Sequence, residues 1–379
     1  MSKTFTAVII DYNYIKIIEA IKKNRVYVIN NFSLDKLNQN IIDNTQNNAN
    51  SENIEQNLIA EEIKKIFGLK QFSKKNVFTV LNDEYINTYN FSLPEIPEPD
   101  LSKAIEYEVK KKSPFPISQI VYDYIYIYQP NEDGRYNLLI SAYTAKKEYS
   151  EQLVNLFTGA EIKLKSIESK TIGLYNANLF IYGNKAGLHY LIIDVNLISI
   201  KIIIIYKNTI IFERNIEEIN IIQNTKNINE AGEIISAEIQ KTVDFYYAGK
   251  SIEPIEKIYL SGVYSSSGML KNIISNLTNI SVETMSIIEL LNNSADDNDK
   301  KTDKNNNNDK TKPLIRLSSK LNKKIYKKKL PAKNIYNTGD VIDIETDNQI
   351  LSNSIPYDEN NLFDILDVML PAFGLILGK

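Results

Sequence analysis

The chain has 379 residues and 43% hydrophobic side chains, enough to bury more than one core. A formal net charge of −3 argues against a general nucleic-acid binder. With no cysteine, disulfides and thiolate metal sites are excluded. The apolar run at Ala7 to Ile10 is too short for a secretory signal and ends at Asp11. The long apolar stretch from Leu188 to Phe212 is interrupted by Asp194, Asn196, Ser199, Lys201, Lys207 and Asn208, so it reads as buried sheet. A cytoplasmic protein is expected.

Along the chain, the first elements predicted are three strands. Val8-Ile9-Ile10-Asp11 is followed by a short turn, Ile15-Lys16-Ile17-Ile18, a turn at Lys23-Asn24, and Val26-Tyr27-Val28-Ile29. Residues 36–56 are rich in Asn and Gln and read as a disordered loop. A helix is expected over Leu58 to Phe67 and a strand over Val77 to Leu81. Next comes Leu93-Pro94-Glu95-Ile96-Pro97, with Asp100 as the N-cap of a helix from Leu101 to Lys112 that Ser113-Pro114-Phe115-Pro116 terminates. Strands over Tyr122–Tyr128 and Leu138–Tyr143, a turn at 131–134, a helix over Lys146–Thr158 and a strand over Ile162–Ser166 complete an α+β insert.

The opening pattern then returns. Leu191-Ile192-Ile193-Asp194, a turn, Ile200-Lys201-Ile202-Ile203-Ile204, a turn at Lys207-Asn208 and Ile210-Ile211-Phe212 repeat strand, acid, hairpin and strand. A duplicated unit of this kind, each copy followed by helical sequence, is what a two-lobed actin-like fold requires. The fold class expected is α/β, a duplicated ribonuclease H-like architecture with an α+β insert in the first lobe. The expected division is 1–90 and 167–187 for the first lobe, 91–166 for the insert and 188–292 for the second lobe. A largely disordered charged insertion (293–355) and a closing segment (356–379) follow.

In such a fold both first turns cradle phosphates through bare amides, and the strand-ending acids hold a hydrated Mg2+. The turns here, Asp11-Tyr12-Asn13-Tyr14-Ile15-Lys16 and Asp194-Val195-Asn196-Leu197-Ile198-Ser199, contain no glycine. Asn13 and Asn196 tolerate left-handed backbone, but Tyr12, Tyr14 and Leu197 bring bulk to the phosphate side.

Several segments in order carry a family resemblance. They are Leu101-Ser102-Lys103-Ala104-Ile105-Glu106-Tyr107-Glu108, Ser113-Pro114-Phe115-Pro116, Tyr122-Asp123-Tyr124, Ala160 with Ile167-Glu168, and Phe212-Glu213-Arg214. Glu238-Ile239-Gln240-Lys241 with Phe245-Tyr246, Ile258-Tyr259-Leu260-Ser261-Gly262, and Leu370-Pro371-Ala372-Phe373-Gly374-Leu375-Ile376-Leu377 continue the series. Together they resemble the type IV pilus assembly PilM family, which shares the actin-like fold of the division protein FtsA. The resemblance implies a cytoplasmic adaptor of a type IV pilus or type II secretion-like assembly. Its partner would be the cytoplasmic N-terminal tail of a bitopic, PilN-like inner-membrane protein, bound near Leu101, Ile105, Glu108 and Phe115.

The same resemblance places degenerate nucleotide-site residues at Asp11, Asn13, Lys16, Asp194, Asn196, Glu238, Lys241 and Gly262. Asp11 and Asp194 would be metal ligands if ATP and Mg2+ bind. Because all three nucleotide-contacting loops have lost glycines, no cofactor and no ATPase activity are expected; the alternative is a functional actin-like ATP-binding protein that forms filaments. The basic run within 310–333 suits contact with anionic lipid, each Lys adding about 1 kcal/mol near the surface, or a solvated loop; self-association is a further option. His189, the single histidine, reads as packed rather than catalytic.

Overall fold

In a computed structural model the two copies of the meander build two separate sheets, the first copy in the middle of its sheet and the second at one edge of its own. Residues 2–11, 14–24, 26–37, 52–130, 135–183, 185, 187–196, 199–216, 228–248, 253–262, 264–265, 267–287, 314–317 and 369–377 are described. Strands β1 (Lys3–Asp11), β2 (Tyr14–Lys23) and β3 (Val26–Lys36) pair antiparallel. With β4 (Val77–Leu81), helix α1 (Glu52–Lys70) completes the first part of this lobe.

Period-two alternation assigns each face of β1. Val8 packs with Ile15 and Ile17 beneath α1, against Ile59, Ile63 and Phe67, while Phe5, Ala7 and Ile9 face a central layer.

The insert is a three-stranded antiparallel sheet, β5 (Asn87–Pro94), β6 (Ile120–Pro130) and β7 (Tyr136–Lys146), ordered β5-β7-β6. Helix α2 (Glu98–Lys112) covers one face, burying Leu101, Ile105 and Val109 against Leu138, Ile140 and Ala142. The chain then returns through α3 (Lys147–Gly159) and β8 (Leu164–Ser169) to α4 (Lys170–Tyr182).

The second lobe holds β9 (His189–Val195), β10 (Ile200–Tyr206), β11 (Thr209–Ile216), helix α5 (Ile228–Tyr247), β12 (Lys257–Gly262), α6 (Gly268–Thr278) and β13 (Ser281–Thr284). Its sheet runs β11-β10-β9-β12-β13. The hairpin turn takes positive φ at both Lys207 (47°) and Asn208 (56°), the geometry that matches strand twist in two-residue loops. Strand β14 (Leu314–Leu317) then returns to the first sheet, whose order is β14-β3-β2-β1-β4-β8.

Between the two sheets lie α4 and the last helix, α7 (Leu370–Leu377). Helix α7 is apolar on all sides and buried from Leu370 to Ile376, as a helix enclosed by two sheets must be. The two helices touch backbone to backbone. A Cβ on Gly374 would lie 1.7 Å from the Gly173 carbonyl oxygen, and one on Gly173 would lie 2.3 Å from that of Pro371.

Several expected boundaries move. Helix α1 starts at Glu52, inside the stretch 36–56, because a helix propagates outward from its apolar stripe and polar composition alone does not mark its first turn. Asp100 is not the N-cap: α2 is capped at Pro97, and Pro99 sits in the first turn, where a missing N–H costs nothing. The insert spans 87–146 rather than 91–166, since α3 packs on the first lobe and β8 pairs with β4. Within 293–355, expected to be largely disordered, residues 314–317 pair parallel with β3; the rest of that stretch lies outside the described residues.

Candidate functional site

Strand parity delivers both strand-ending acids to one place. Asp11 continues the Phe5, Ala7, Ile9 face of β1, and Asp194 continues the Tyr190, Ile192 face of β9, so each carboxylate enters the layer between the sheets. Helix α4 begins in that layer. Ser169 caps it, its Oγ accepting from the Thr171 amide at 3.1 Å, which fixes Lys170 as the first helical residue.

The Lys170 ammonium lies 3.0 Å from Asp194 Oδ2 and 3.8 Å from Asp11 Oδ2. Lys16 Nζ donates to the same Asp11 oxygen at 2.8 Å, and Asn196 Nδ2 donates to Asp194 Oδ2 at 2.6 Å. A lysine at a helix N-terminus opposes the helix dipole; here two carboxylates offset that cost. The site is therefore a line of alternating charges, Lys16, Asp11, Lys170 and Asp194, running from the first lobe into the second.

Burial alone would raise the carboxyl pKa of Asp11, but the Lys16 and Lys170 ammoniums outweigh it and hold the group well below the usual range. Asp194 is likewise lowered, burial being overcome by Lys170 and by the Asn196 amide. Burial pulls the Lys170 ammonium toward neutrality, yet Asp194, Asp11 and Asp83 push its pKa up instead. All three groups stay charged at neutral pH.

Two further ties cross between the lobes. Lys201 on β10 reaches Asp83, after β4, at 2.8 Å; despite burial its pKa is raised, chiefly by Asp83. Glu213 on β11 accepts from the Thr88 hydroxyl at 2.5 Å and from the Thr171 hydroxyl at 2.6 Å, joining the second lobe to the insert and to α4.

The residues expected to meet a nucleotide are only partly brought together. Asp11, Lys16, Asp194 and Asn196 converge, but on Lys170 rather than on open space. The Asn196 amide is spent on the Ser199 carbonyl at 2.9 Å. Asn13 lies outside the described residues. Glu238 and Lys241 form a separate ionic group on α5, with Glu238 bound to Arg214 at 3.1 Å and to Lys241 at 2.5 Å. Gly262 has φ +98°, and a Cβ there would lie 2.2 Å from the Val195 carbonyl oxygen. That glycine lets β12 press against β9 beside Asp194. The residues present are poorly suited to a shared hydrated Mg2+: Oδ2 of each carboxylate is already ion-paired and Lys170 stands between them, although Asp194 Oδ1 is buried with no partner among the described residues.

The expected partner-binding set is corrected at two positions. Leu101 and Ile105 are 3% and 0% exposed and form the insert's own core, because they lie on the face of α2 that must cover the sheet. Glu108 and Phe115 are half-buried; the Phe115 ring packs at the margin of that core with the Lys146 ammonium 4.4 Å above it. His189 is packed, its Nδ1 2.7 Å from the Glu253 carbonyl oxygen and its ring among Tyr206, Tyr246 and Tyr247.

Sequence reasoning missed Lys170, Lys201 and Asp83. One local signal pointed to the first: a lysine directly after a Ser N-cap stands at the wrong end of a helix dipole and needs a nearby anion.

The family described as "Type IV pilus assembly protein PilM" matches residues 8–228. A solved structure, "PilM-PilN type IV pilus biogenesis complex", is 14% identical, covers 99% of this chain and 98% of its own, and superposes with TM-score 0.66. The cytoplasmic domain of EpsL from the Vibrio cholerae type II secretion system is 6% identical over 69% of this chain and 82% of its own, with TM-score 0.40. A protein of actin-like ATPase fold from Bacteroides thetaiotaomicron is 10% identical over 74% and 90%, with TM-score 0.42. No curated protein sequence matches. Among the described residues no helix is long and apolar enough to cross a membrane. The fold is actin-like, and with more than half of its length matched, the chain belongs to the type IV pilus assembly protein PilM family.

Proposed function

We propose that this chain is a non-hydrolytic assembly component of a type IV pilus machine, in which the interlobe cleft is a fixed structural joint and not a nucleotide site. The observation that carries the reading is Lys170, whose ammonium stands between Asp11 and Asp194 where a nucleotide-dependent relative would need a divalent cation. A lysine supplies that positive charge from within the chain, so the lobes are held together without ligand. The Lys201–Asp83 pair and the two hydroxyls on Glu213 support the same closed arrangement.

The matched complex contains PilM together with PilN, and family membership supports a partner of that kind here: a short tail of an inner-membrane protein. Phe115 and Glu108 remain the residues proposed to meet it, since Leu101 and Ile105 are enclosed. A basic approach to anionic lipid through 310–333 belongs to the same proposal, keeping the complex at the inner face of the membrane.

The test is capture of a fluorescent peptide carrying the N-terminal tail of a PilN-like protein. The affinity is expected to be unchanged by millimolar Mg-ATP and weakened about tenfold or more by Phe115→Ala, as for an aromatic anchor. Affinity that depends on Mg-ATP overturns the non-hydrolytic reading, and unweakened capture by a folded Phe115→Ala protein removes that residue.

A further inference from the structure

The insert leaves one long sheet edge open. Strand β6 (Ile120–Pro130) pairs on one side with β7, in continuous register and without a bulge, and no described strand lies on its other side. Natural edges of this length are usually blunted by lysines, prolines or bulges. Between Val121 and Gln129 this one carries a single charged side chain, Asp123. The Asp123 carboxylate accepts from the Tyr124 amide at 2.8 Å. That contact shows that the Tyr124 N–H points away from β7, and with a period of two so do the amides of Tyr122, Tyr126 and Tyr128.

The tyrosines of the edge are placed symmetrically about Ile125 in Tyr122-Asp123-Tyr124-Ile125-Tyr126-Ile127-Tyr128, with only Asp123 and Ile127 breaking the symmetry. Pairing it antiparallel with itself around Ile125 places Tyr124 opposite Tyr126 and Tyr122 opposite Tyr128 of the other copy. Asp123 then falls opposite Ile127, so no like charges meet. The outward amides find carbonyls at the hydrogen-bonded positions, the Tyr124 amide exchanging its Asp123 carboxylate for one, and the four tyrosines of each strand lie on one face as directly opposed aromatic pairs, a favourable arrangement across strands. The row is already assembled within one chain. Ring centroids of Tyr124 and Tyr126 are 6.4 Å apart and those of Tyr126 and Tyr128 are 5.9 Å apart, with Tyr128 half exposed.

We infer that β6 is a homotypic docking edge through which two copies of this chain join their insert sheets into one six-stranded sheet with a two-fold axis at Ile125. The tyrosine face of this edge packs on the insert's own core, while Ile125 on the other face packs against the layer between the lobes.

Because the chain lacks cysteine, the register can be read directly. In the proposed dimer Ile125 faces its own counterpart at about 4.5–5.5 Å between Cα atoms, inside the roughly 4.4–6.8 Å span of a disulfide. Ile127 would lie about 13 Å from its counterpart, four residues along the strand. Sedimentation of the full chain at about 100 μM, a concentration suited to a small interface, is expected to show a dimer. Ile125→Cys is expected to cross-link under mild oxidation and Ile127→Cys is not. Tyr128→Pro removes an outward amide without touching the β7 ladder and is expected to yield a folded monomer. A monomeric wild type, a dimer that survives Tyr128→Pro, or cross-linking at Ile127 in place of Ile125 would each overturn the proposal.

Discussion

Replacing Lys170 by Met keeps a long unbranched side chain in the interlobe layer and removes its charge. Asp194, with a side chain 0% exposed, would retain the Asn196 amide and the more distant Lys16 ammonium, while Asp11 would keep its direct pair with Lys16. Removing one member of a buried ion pair costs about 3–5 kcal/mol, mostly as the penalty on the stranded charge. For a cooperative unit of lobe size that lowers Tm by roughly 10 °C. The pH dependence has a definite sign. Both aspartates have folded pKa values below the ordinary 3.8, so their stabilisation is fully present above that value and is lost as pH falls through the folded values. In Lys170→Met the Asp194 pKa rises instead, since burial is no longer opposed by that ammonium, and the gap from wild type narrows as pH falls and Asp194 takes up a proton. Thermal melts at neutral and mildly acidic pH measure this directly. Lys170→Met with Asp194→Asn should recover most of the loss, because an amide needs no counter-charge. Millimolar Mg2+ should stabilise the single variant more than wild type by restoring a shared cation. A Lys170→Met protein destabilised by less than about 0.5 kcal/mol, the size of an ordinary surface change, would refute the reasoning.

Other substitutions test the surrounding structure. Gly262→Ala combines a positive φ with a Cβ 2.2 Å from the Val195 carbonyl oxygen, so it should cost more than the roughly 1–3 kcal/mol of backbone strain alone; soluble yield and Tm report it. Ile105→Ala should lower stability by about 2–5 kcal/mol as a cavity in the insert core, measured by denaturant unfolding. The His189 pKa is lowered below 6.5 by burial, which outweighs the Glu253 carbonyl, so the unfolded chain binds its proton first. Stability is therefore full above 6.5 and declines as pH drops below it, and His189→Phe should flatten that part of the pH–Tm profile.

The duplicated meander was legible because strand periodicity and a terminal acid are local signals. Val77–Leu81 was read to the residue, and the Lys207-Asn208 turn was found, whereas in the first copy Lys23 still belongs to β2 and only Asn24 of the expected pair turns. The convergence of Asp11 and Asp194 followed from the duplication itself. What holds them was not legible: Lys170, Lys201 and Asp83 come from different elements, and their meeting depends on how two sheets enclose α4. Leu101 and Ile105 were assigned to a partner surface because helical spacing shows that a face is apolar but not what covers it. The insert's upper boundary failed for a related reason, since α3 and β8 follow the insert in sequence but belong to the first sheet and its covering layer in space.

The most direct test of the closed cleft is calorimetric titration of the wild-type chain with Mg-ATP. The account predicts no saturable binding up to about 1 mM, a level corresponding to roughly −4 kcal/mol, and no release of phosphate. Micromolar affinity or steady phosphate release by the wild-type protein would contradict it.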